Sequence, residues 1–247
     1  VGTPHQVHYF HQVDDGYSHI AAQLLMPLLA RYNIELRCHL VSADRKKNVP
    51  EPALLARLSR YESQLVAPGY GLVFPDHPHE PDAYHVSLAT CILAAQSPET
   101  FPEIAAAVGD AFWSGDGARL NHLAEAHGRV GVERAEAVVG AGTQLRRQMK
   151  HYSSAMFYYG GEWYWGADRF YLLEQRLAAL GVDRYPGRDL IAPRPPLTLP
   201  RQRDNKAFTL EFYASLRSPY TAVVFDRAVA FARDAGITLV LRPVLPM

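Results

Sequence analysis

The chain opens with a pattern of hydrophobic and polar positions that predicts a strand, a helix and a second strand. Residues 7 to 10 have the pattern of a short strand, residues 17 to 32 carry apolar side chains at helical spacing, and residues 34 to 41 alternate as a strand. Asn33 lies where the helix must turn into the second strand, and Pro27 is expected to kink the helix. These residues therefore predict a βαβ unit.

The middle of the chain is predicted to be mostly helical before the strand pattern returns. Strands are predicted at 155–159 and 162–165, on either side of the tight turn Gly160-Gly161, and a last helix over 168–180. This order predicts one domain over residues 1–180, with helices that cover a mixed sheet. The helices predicted between the two strand regions are 53–65, 82–95, 100–113, 118–127 and 132–151.

The last part of the chain repeats the first. Residues 181–206 are rich in proline and arginine, which predicts an extended linker. Residues 208–244 then align without a gap on residues 5–41 at a constant offset of 203, which takes position 15 to 218. We interpret this as a duplication in which 207–247 is the opening βαβ of a second domain. We expect the sequence to be part of a longer protein; the alternative is an incomplete domain that something else completes.

Three segments resemble the DsbA-like thioredoxin superfamily. Residues 210–221, with Ser218-Pro219-Tyr220, resemble the strand-to-helix opening of its glutathione-using branch, the 2-hydroxychromene-2-carboxylate isomerases and kappa-class glutathione transferases. Asn48-Val49-Pro50 resembles the asparagine-proline loop of that branch, and residues 155–169 resemble its closing hairpin and Gly-x-Asp-Arg turn. The resemblance implies an α/β, thioredoxin-like mixed sheet with a helical insertion, of the DsbA type.

Ser218 is the candidate catalytic residue. Ser218 and Pro219 have the pattern of an N-cap followed by the first helical residue, which is a sufficient structural explanation. A helix N-terminus also favours an anion, and the resemblance implies that this serine donates a hydrogen bond to the ionised sulfur of glutathione. The two interpretations stay open.

The first copy carries different residues at the corresponding positions. Asp15 aligns with Ser218 and is followed by Gly16-Tyr17-Ser18, and Ala155 stands where the family has its cis-proline. A fixed carboxylate is a good N-cap, but it would raise the pKa of a nearby thiol and repel a thiolate. We therefore predict that Asp15, Ser18 and Ala155 mark a degenerate site without thiol chemistry.

Three further residues match positions that the family is implied to use for glutathione. Asn48, Asp168 and Arg169 would hold the peptide and γ-glutamyl ends of this cofactor. The alternatives are that Asp168 caps the last helix and that Arg169 is a solvated charge.

Composition narrows the function classes. The 25 basic and 25 acidic residues balance, so no overall field favours nucleic acid or a membrane, and a small-molecule substrate is the better expectation; a homodimer stays open. The two cysteines, Cys38 and Cys91, form no CxxC pair, which disfavours a disulfide oxidoreductase. They are also too few for a disulfide framework, so we expect a reducing compartment, the cytoplasm. His77, His79 and His85 lie near acidic residues, but without fixed metal-ligand spacing, so we expect a solvated loop and no metal.

Two hypotheses about function follow. The first is a glutathione-dependent isomerase or transferase, acting at Ser218 on small aromatic or conjugated carbonyl compounds. The second is a catalytically inactive thioredoxin-fold module for binding or assembly.

Overall fold

The computed structural model describes residues 4–43, 51–196 and 208–244. It divides into two compact units with the boundary between Pro195 and Pro196, and each unit is described by itself.

The first unit begins with a βαβ arrangement and continues through a helical block to a hairpin and a last helix. Its elements are β1 (Gln6–His11), α1 (Gly16–Ala22), α2 (Leu25–Arg31), β2 (Glu35–Leu40), α3 (Pro52–Val66), a 3-10 turn (Ala67–Tyr70), α4 (Ala83–Ala94), α5 (Phe101–Trp113), α6 (Gly117–His127), α7 (Val132–Gln148), β3 (Met156–Tyr159), β4 (Glu162–Trp165) and α8 (Phe170–Ala179).

The four strands of this unit form one mixed sheet in the order β2-β1-β3-β4. Strand β1 runs parallel to β2 and antiparallel to β3, and β3 and β4 form the hairpin around Gly160-Gly161. The parallel connection through α1 and α2 and the hairpin at the other edge are those predicted from the sequence.

The strands present apolar side chains to both faces of the sheet. Val7 and Tyr9 of β1 belong to the main core, together with Leu36 and Phe157. Phe10 points to the opposite face, where it packs with Val41 and Met156 against side chains of α7 and β4. This alternation is the period-two pattern that predicted β1.

The helix predicted over 17–32 is divided into α1 and α2. Pro27 lies in the first turn of α2 and has no backbone N–H to give to the carbonyl of Gln23, the residue that follows α1. The expected kink at Pro27 is therefore a complete break between two short helices.

The segment that follows α8 is not an extended linker throughout. The Arg31 guanidinium lies 2.9 Å from the Asp183 carboxylate, and the buried carboxylate of Glu174 accepts hydrogen bonds from the backbone N–H groups of Ile191 and Ala192. Residues 183–192 consequently pack on the first unit, although their composition predicted a linker from residue 181 onward.

The second unit is a single βαβ arrangement. Its elements are β5 (Thr209–Ser215), α9 (Pro219–Ala235) and β6 (Thr238–Val244), and β5 pairs with β6 in parallel. The register pairs Thr209 with Thr238, as Gln6 pairs with Glu35 in the first unit. The same offset of 203 residues relates both members of these two pairs.

Among the helices of the described part of the chain, none combines the length and the apolar character needed to cross a membrane.

Candidate functional site

The candidate site of the first unit begins at the N-terminus of α1. Asp15 is the N-cap of this helix, and its carboxylate accepts a hydrogen bond of 3.0 Å from the backbone N–H of Ser18. Gly16 follows, and a Cβ atom there would lie 2.6 Å from the hydroxyl oxygen of Ser63 and 3.1 Å from the backbone oxygen of Ser59. Glycine thus permits α3 to approach the start of α1 closely.

Three serine hydroxyls converge on the Asp15 carboxylate. Ser59 on α3 donates to Oδ1 at 2.7 Å, while Ser18 on α1 and Ser154, just before β3, donate to Oδ2 at 2.8 and 3.0 Å. With the backbone N–H of Ser18, the carboxylate accepts four hydrogen bonds. We call Asp15 with these three serines the serine cage.

The serine cage lies in a buried environment. Asp15 is 8% exposed, and burial raises the pKa of its carboxyl group above the ordinary value, while the hydrogen bonds from Ser59, Ser18 and Ser154 act in the opposite direction. Behind the cage, the Tyr9 hydroxyl donates to the backbone oxygen of Ser18 and lies 3.0 Å from the His11 ring, whose pKa burial lowers to about 3. The start of α1 is therefore fixed on both sides.

The sequence predicted Ala155 as the first residue of a strand. In the structure, Ala155 instead precedes β3 and has a left-handed backbone conformation. Its φ angle is 54°, a value that residues other than glycine rarely adopt. Its carbonyl oxygen accepts a hydrogen bond of 2.8 Å from the backbone N–H of Gly166. The peptide bonds of the described residues are all trans, including those at this position. This backbone conformation places the hydroxyl of the neighbouring Ser154 within hydrogen-bond distance of the Asp15 carboxylate.

A groove leads away from the serine cage. A cavity of about 390 Å³ is lined by Asp15 and Ser59 and by Tyr17, Leu55 and Trp165. A second cavity of about 480 Å³ shares Tyr17, Leu55 and Trp165 and is also lined by Asp168 and Arg169. The structure thus brings the predicted residues Asp15, Asp168 and Arg169 to one surface, which we call the Asp15–Arg169 groove.

The two charged residues at the far end of the groove are open to solvent. The Arg169 guanidinium lies 3.5 Å from the Asp168 carboxylate, with more than half of each side chain exposed. Helix α8 begins at Phe170 and has Arg169 at its N-cap position, so Asp168 is not the cap that one interpretation of the sequence predicted. An exposed pair of this kind contributes little to stability, which leaves both side chains available to a ligand.

Aromatic side chains and a tyrosine–glutamate pair form the walls of the groove. The Tyr17 hydroxyl donates a hydrogen bond to the Glu62 carboxylate, and burial, reinforced by this bond, raises the pKa of the Tyr17 phenol. Trp165 and Tyr152 are large side chains that remain partly exposed beside it. These surfaces suit a flat or elongated small molecule.

Ser218 occupies the N-cap position of α9 in the second unit. Its backbone is extended, Pro219 follows as the first helical residue, and its side chain makes no capping hydrogen bond. The half-buried hydroxyl therefore differs from the Asp15 carboxylate, whose capping bond to its own helix is present.

Asn48 lies outside the described residues. Ser59 and Ser154, which complete the serine cage, were not predicted from the sequence. Their hydrogen bonds to Asp15 span 44 and 139 residues along the chain, and no local motif surrounds either serine.

No family model and no curated protein matches the chain. Several solved structures do. A 2-hydroxychromene-2-carboxylate isomerase has a TM-score of 0.53 and 18% identity, over 71% of this chain and 96% of the isomerase. A probable DsbA oxidoreductase from Streptomyces coelicolor has a TM-score of 0.51 and 14% identity, over 75% of this chain and 94% of its own.

The chain has the DsbA-type thioredoxin fold. A putative protein disulfide isomerase from Nitrosomonas europaea is also similar, with a TM-score of 0.50 and 18% identity over 72% of this chain and 97% of that protein. The mixed sheet with an inserted helical block, predicted from the sequence, is confirmed by these neighbours.

Proposed function

We propose that this DsbA-type protein is a glutathione-dependent isomerase or transferase whose thiol chemistry is centred on Ser218, while the α1 terminus of the first unit takes no part in it. The proposal includes duplication of the opening βαβ, a small aromatic or conjugated carbonyl substrate, and a cytoplasmic location. The isomerase among the neighbours acts, by its name, on a compound of this substrate class.

The observation that carries the proposal is the contrast between the two helix N-termini. In the first unit, the carboxylate of Asp15 accepts the Ser18 N–H and three hydroxyl hydrogen bonds, so the donors that would stabilise a sulfur anion are already used. In the second unit, the Ser218 hydroxyl makes no capping bond. This contrast supports the N-terminus of α9 as the proposed place for a thiolate.

Bound glutathione would supply the nucleophilic sulfur, which adds reversibly to a conjugated substrate. The residues of this chain would then have positioning tasks. Ser218 would donate a hydrogen bond to the sulfur, and the partial positive charge at the start of α9 would favour the ionised form. Asn48, Asp168 and Arg169 belong to the first unit, where the family resemblance makes them the residues proposed to hold the peptide of a glutathione bound there without thiol chemistry at Asp15.

The test compares full-length Ser218→Ala and Ser218→Thr variants with the parent protein and with Asp15→Asn. Thiolate absorbance of bound glutathione is measured against pH, and turnover of 2-hydroxychromene-2-carboxylate is followed in parallel. A hydrogen bond to a charged acceptor contributes roughly 1.5–3 kcal/mol, so Ser218→Ala should lower turnover about tenfold to a hundredfold, and threonine should restore most of it. Asp15→Asn should leave thiol ionisation unchanged.

A binding module is the second candidate, favoured by the Asp15–Arg169 groove. Its aromatic walls and exposed Asp168–Arg169 pair can hold a small molecule without any reaction at α1. If the glutathione titration curves of the parent and Ser218→Ala coincide and only the melting temperature changes, this candidate replaces the enzyme.

A further inference from the structure

The loop that precedes α4 and the first turn of this helix carry a group of potential metal ligands outside the Asp15–Arg169 groove. His79 Nε2 lies 3.0 Å and His85 Nδ1 lies 2.5 Å from the same carboxylate oxygen, Oδ2 of Asp82. One ligand atom from each of the three residues lies within 4.8 Å of the other two. The sequence predicted a solvated loop without a metal here, because the spacing of these residues matches no familiar metal motif.

The two imidazole rings are held in place by the turn between α5 and α6. A Cβ atom at Gly115 would lie 3.2 Å from the His79 ring, and one at Gly117 would lie 2.9 Å from His85 Nε2. The backbone N–H of His79 also donates to the carbonyl of Trp113 at 2.7 Å. Both rings thus pack directly on backbone, which fixes their orientation before any ion binds.

Asp82 has two separate tasks at this point. Its Oδ1 atom caps α4 by accepting the N–H of His85 at 3.0 Å, while Oδ2 faces the two rings. The carboxylate is therefore oriented by the helix that it caps, and the oxygen left over is the one directed at both histidines. Partial exposure of all three side chains gives an ion access from solvent.

We propose that His79, Asp82 and His85 form a Zn²⁺ site. Two imidazole nitrogens and one carboxylate oxygen are ligands that zinc prefers, whereas Mg²⁺ and Ca²⁺ require mainly oxygen. Without an ion, the facing nitrogens donate to Oδ2 at 3.0 and 2.5 Å. When Zn²⁺ binds, it takes the place of these two protons, and each neutral ring keeps its proton on the nitrogen that faces away from Asp82. The fourth position is filled by water, and the ion ties the 75–82 loop to the start of α4.

The experiment titrates Zn²⁺ into the full-length, chelator-treated protein by calorimetry, and follows thermal unfolding with and without the metal. We expect one strong site per chain and a higher melting temperature with Zn²⁺. His79→Ala and His85→Ala should each weaken binding by at least about tenfold, since even the loss of an outer hydrogen-bond partner of a metal ligand weakens binding about tenfold to a hundredfold. Mg²⁺ should neither bind at this site nor raise the melting temperature.

Two variants separate metal binding from folding. Asp82→Asn keeps the helix cap, because asparagine is as good an N-cap as aspartate, but removes the charged ligand. It should fold normally and bind zinc more weakly. His77→Ala is the matched control, because His77 lies in the same loop but outside the cluster.

Unchanged zinc affinity in the double variant His79→Ala/His85→Ala would overturn the proposal. So would an equal loss of affinity in His77→Ala, since binding would then be a general property of the histidine-containing surface. Circular dichroism of each variant without metal establishes that it is folded before its affinity is compared.

Discussion

The serine cage gives a sharp test of how the first unit is stabilised, through the variants Asp15→Ala and Asp15→Asn. Alanine removes the acceptor of four hydrogen bonds, three of them from hydroxyl groups and one from the backbone. Loss of an N-cap alone costs about 1 kcal/mol, and each buried hydroxyl donor left without an acceptor costs about 1–3 kcal/mol more. We therefore expect Asp15→Ala to lower the free energy of unfolding by about 3–5 kcal/mol.

Asparagine should be tolerated far better. Its side-chain oxygen can still accept the Ser18 N–H, and a serine hydroxyl can rotate to accept from its amide group. The neutral amide also avoids the cost of burying a charge. We expect Asp15→Asn to cost about 1 kcal/mol or less at acidic pH.

The pH dependence of this difference has a defined sign. Burial raises the pKa of Asp15 in the folded state above its ordinary value of 3.8, so the folded protein keeps the proton to a higher pH than the unfolded chain does. The contribution of Asp15 to stability is thus complete below pH 3.8 and is lost as pH rises through the folded pKa. Asp15→Asn lacks this loss, so its stability relative to the parent should improve as pH rises.

The assay is urea unfolding of the full-length proteins at a series of pH values from acidic to neutral. Burial lowers the pKa of His11 to about 3 and of His19 to about 4, so both histidines make stability rise with pH up to their unfolded pKa. Both histidines are present in each protein, and the difference between parent and Asp15→Asn isolates Asp15. A difference that is independent of pH would refute the argument that burial outweighs the hydrogen bonds.

Three other substitutions, one of them with a matched control, test the packing of the first unit. Gly142→Ala in α7 places a Cβ atom 2.1 Å from the Leu40 carbonyl oxygen, so it should lower the free energy of unfolding, measured in urea, by about 1–3 kcal/mol. The control is Gly140→Ala, whose Cβ would have no atom within 4 Å and which should be neutral or stabilising. Equal effects of the two substitutions would contradict this prediction. Ala155→Pro should destabilise the protein by about 3 kcal/mol, because a proline ring cannot adopt a φ of 54°. We expect this even though the DsbA-like proteins that the sequence resembles carry proline at the corresponding position, and an unchanged melting temperature would contradict it. Glu174→Ala should lower the free energy of unfolding by about 3–5 kcal/mol and make residues 183–192 sensitive to limited proteolysis, because it removes the carboxylate that accepts their backbone hydrogen bonds. A protease-resistant variant would show that Glu174 does not hold this segment in place.

The fold was largely predictable because periodicity reports on burial. Strand β4 was predicted with its observed bounds, and the helices of the inserted block within a few residues. The break at Pro27 was foreseen as a kink, since the chemical cause is a single residue. The packing of residues 183–192 was not, because the ion pair of Asp183 with Arg31 joins positions far apart in sequence, and composition alone indicated a linker.

The candidate site was predictable only in part. The position of Asp15 as an N-cap follows from local sequence, and so does the pairing of Asp168 with Arg169 in one turn. The donors from Ser59 and Ser154 depend on how closely α3 and the segment before β3 approach α1. The left-handed backbone of Ala155 likewise depends on tertiary structure, because alanine has no local preference for it.

The serine cage also constrains how this protein could change over evolutionary time. Its members come from α1, α3 and the loop before β3, and all of them are committed to one carboxylate. A single replacement of Asp15 by cysteine would leave the Ser59 and Ser154 hydroxyls facing a side chain with weak hydrogen-bonding capacity. A thiol at this helix terminus would therefore lower stability before it provided any activity. Acquiring a stable thiol there would take coordinated changes in three separate elements, which makes the carboxylate at this position hard to replace.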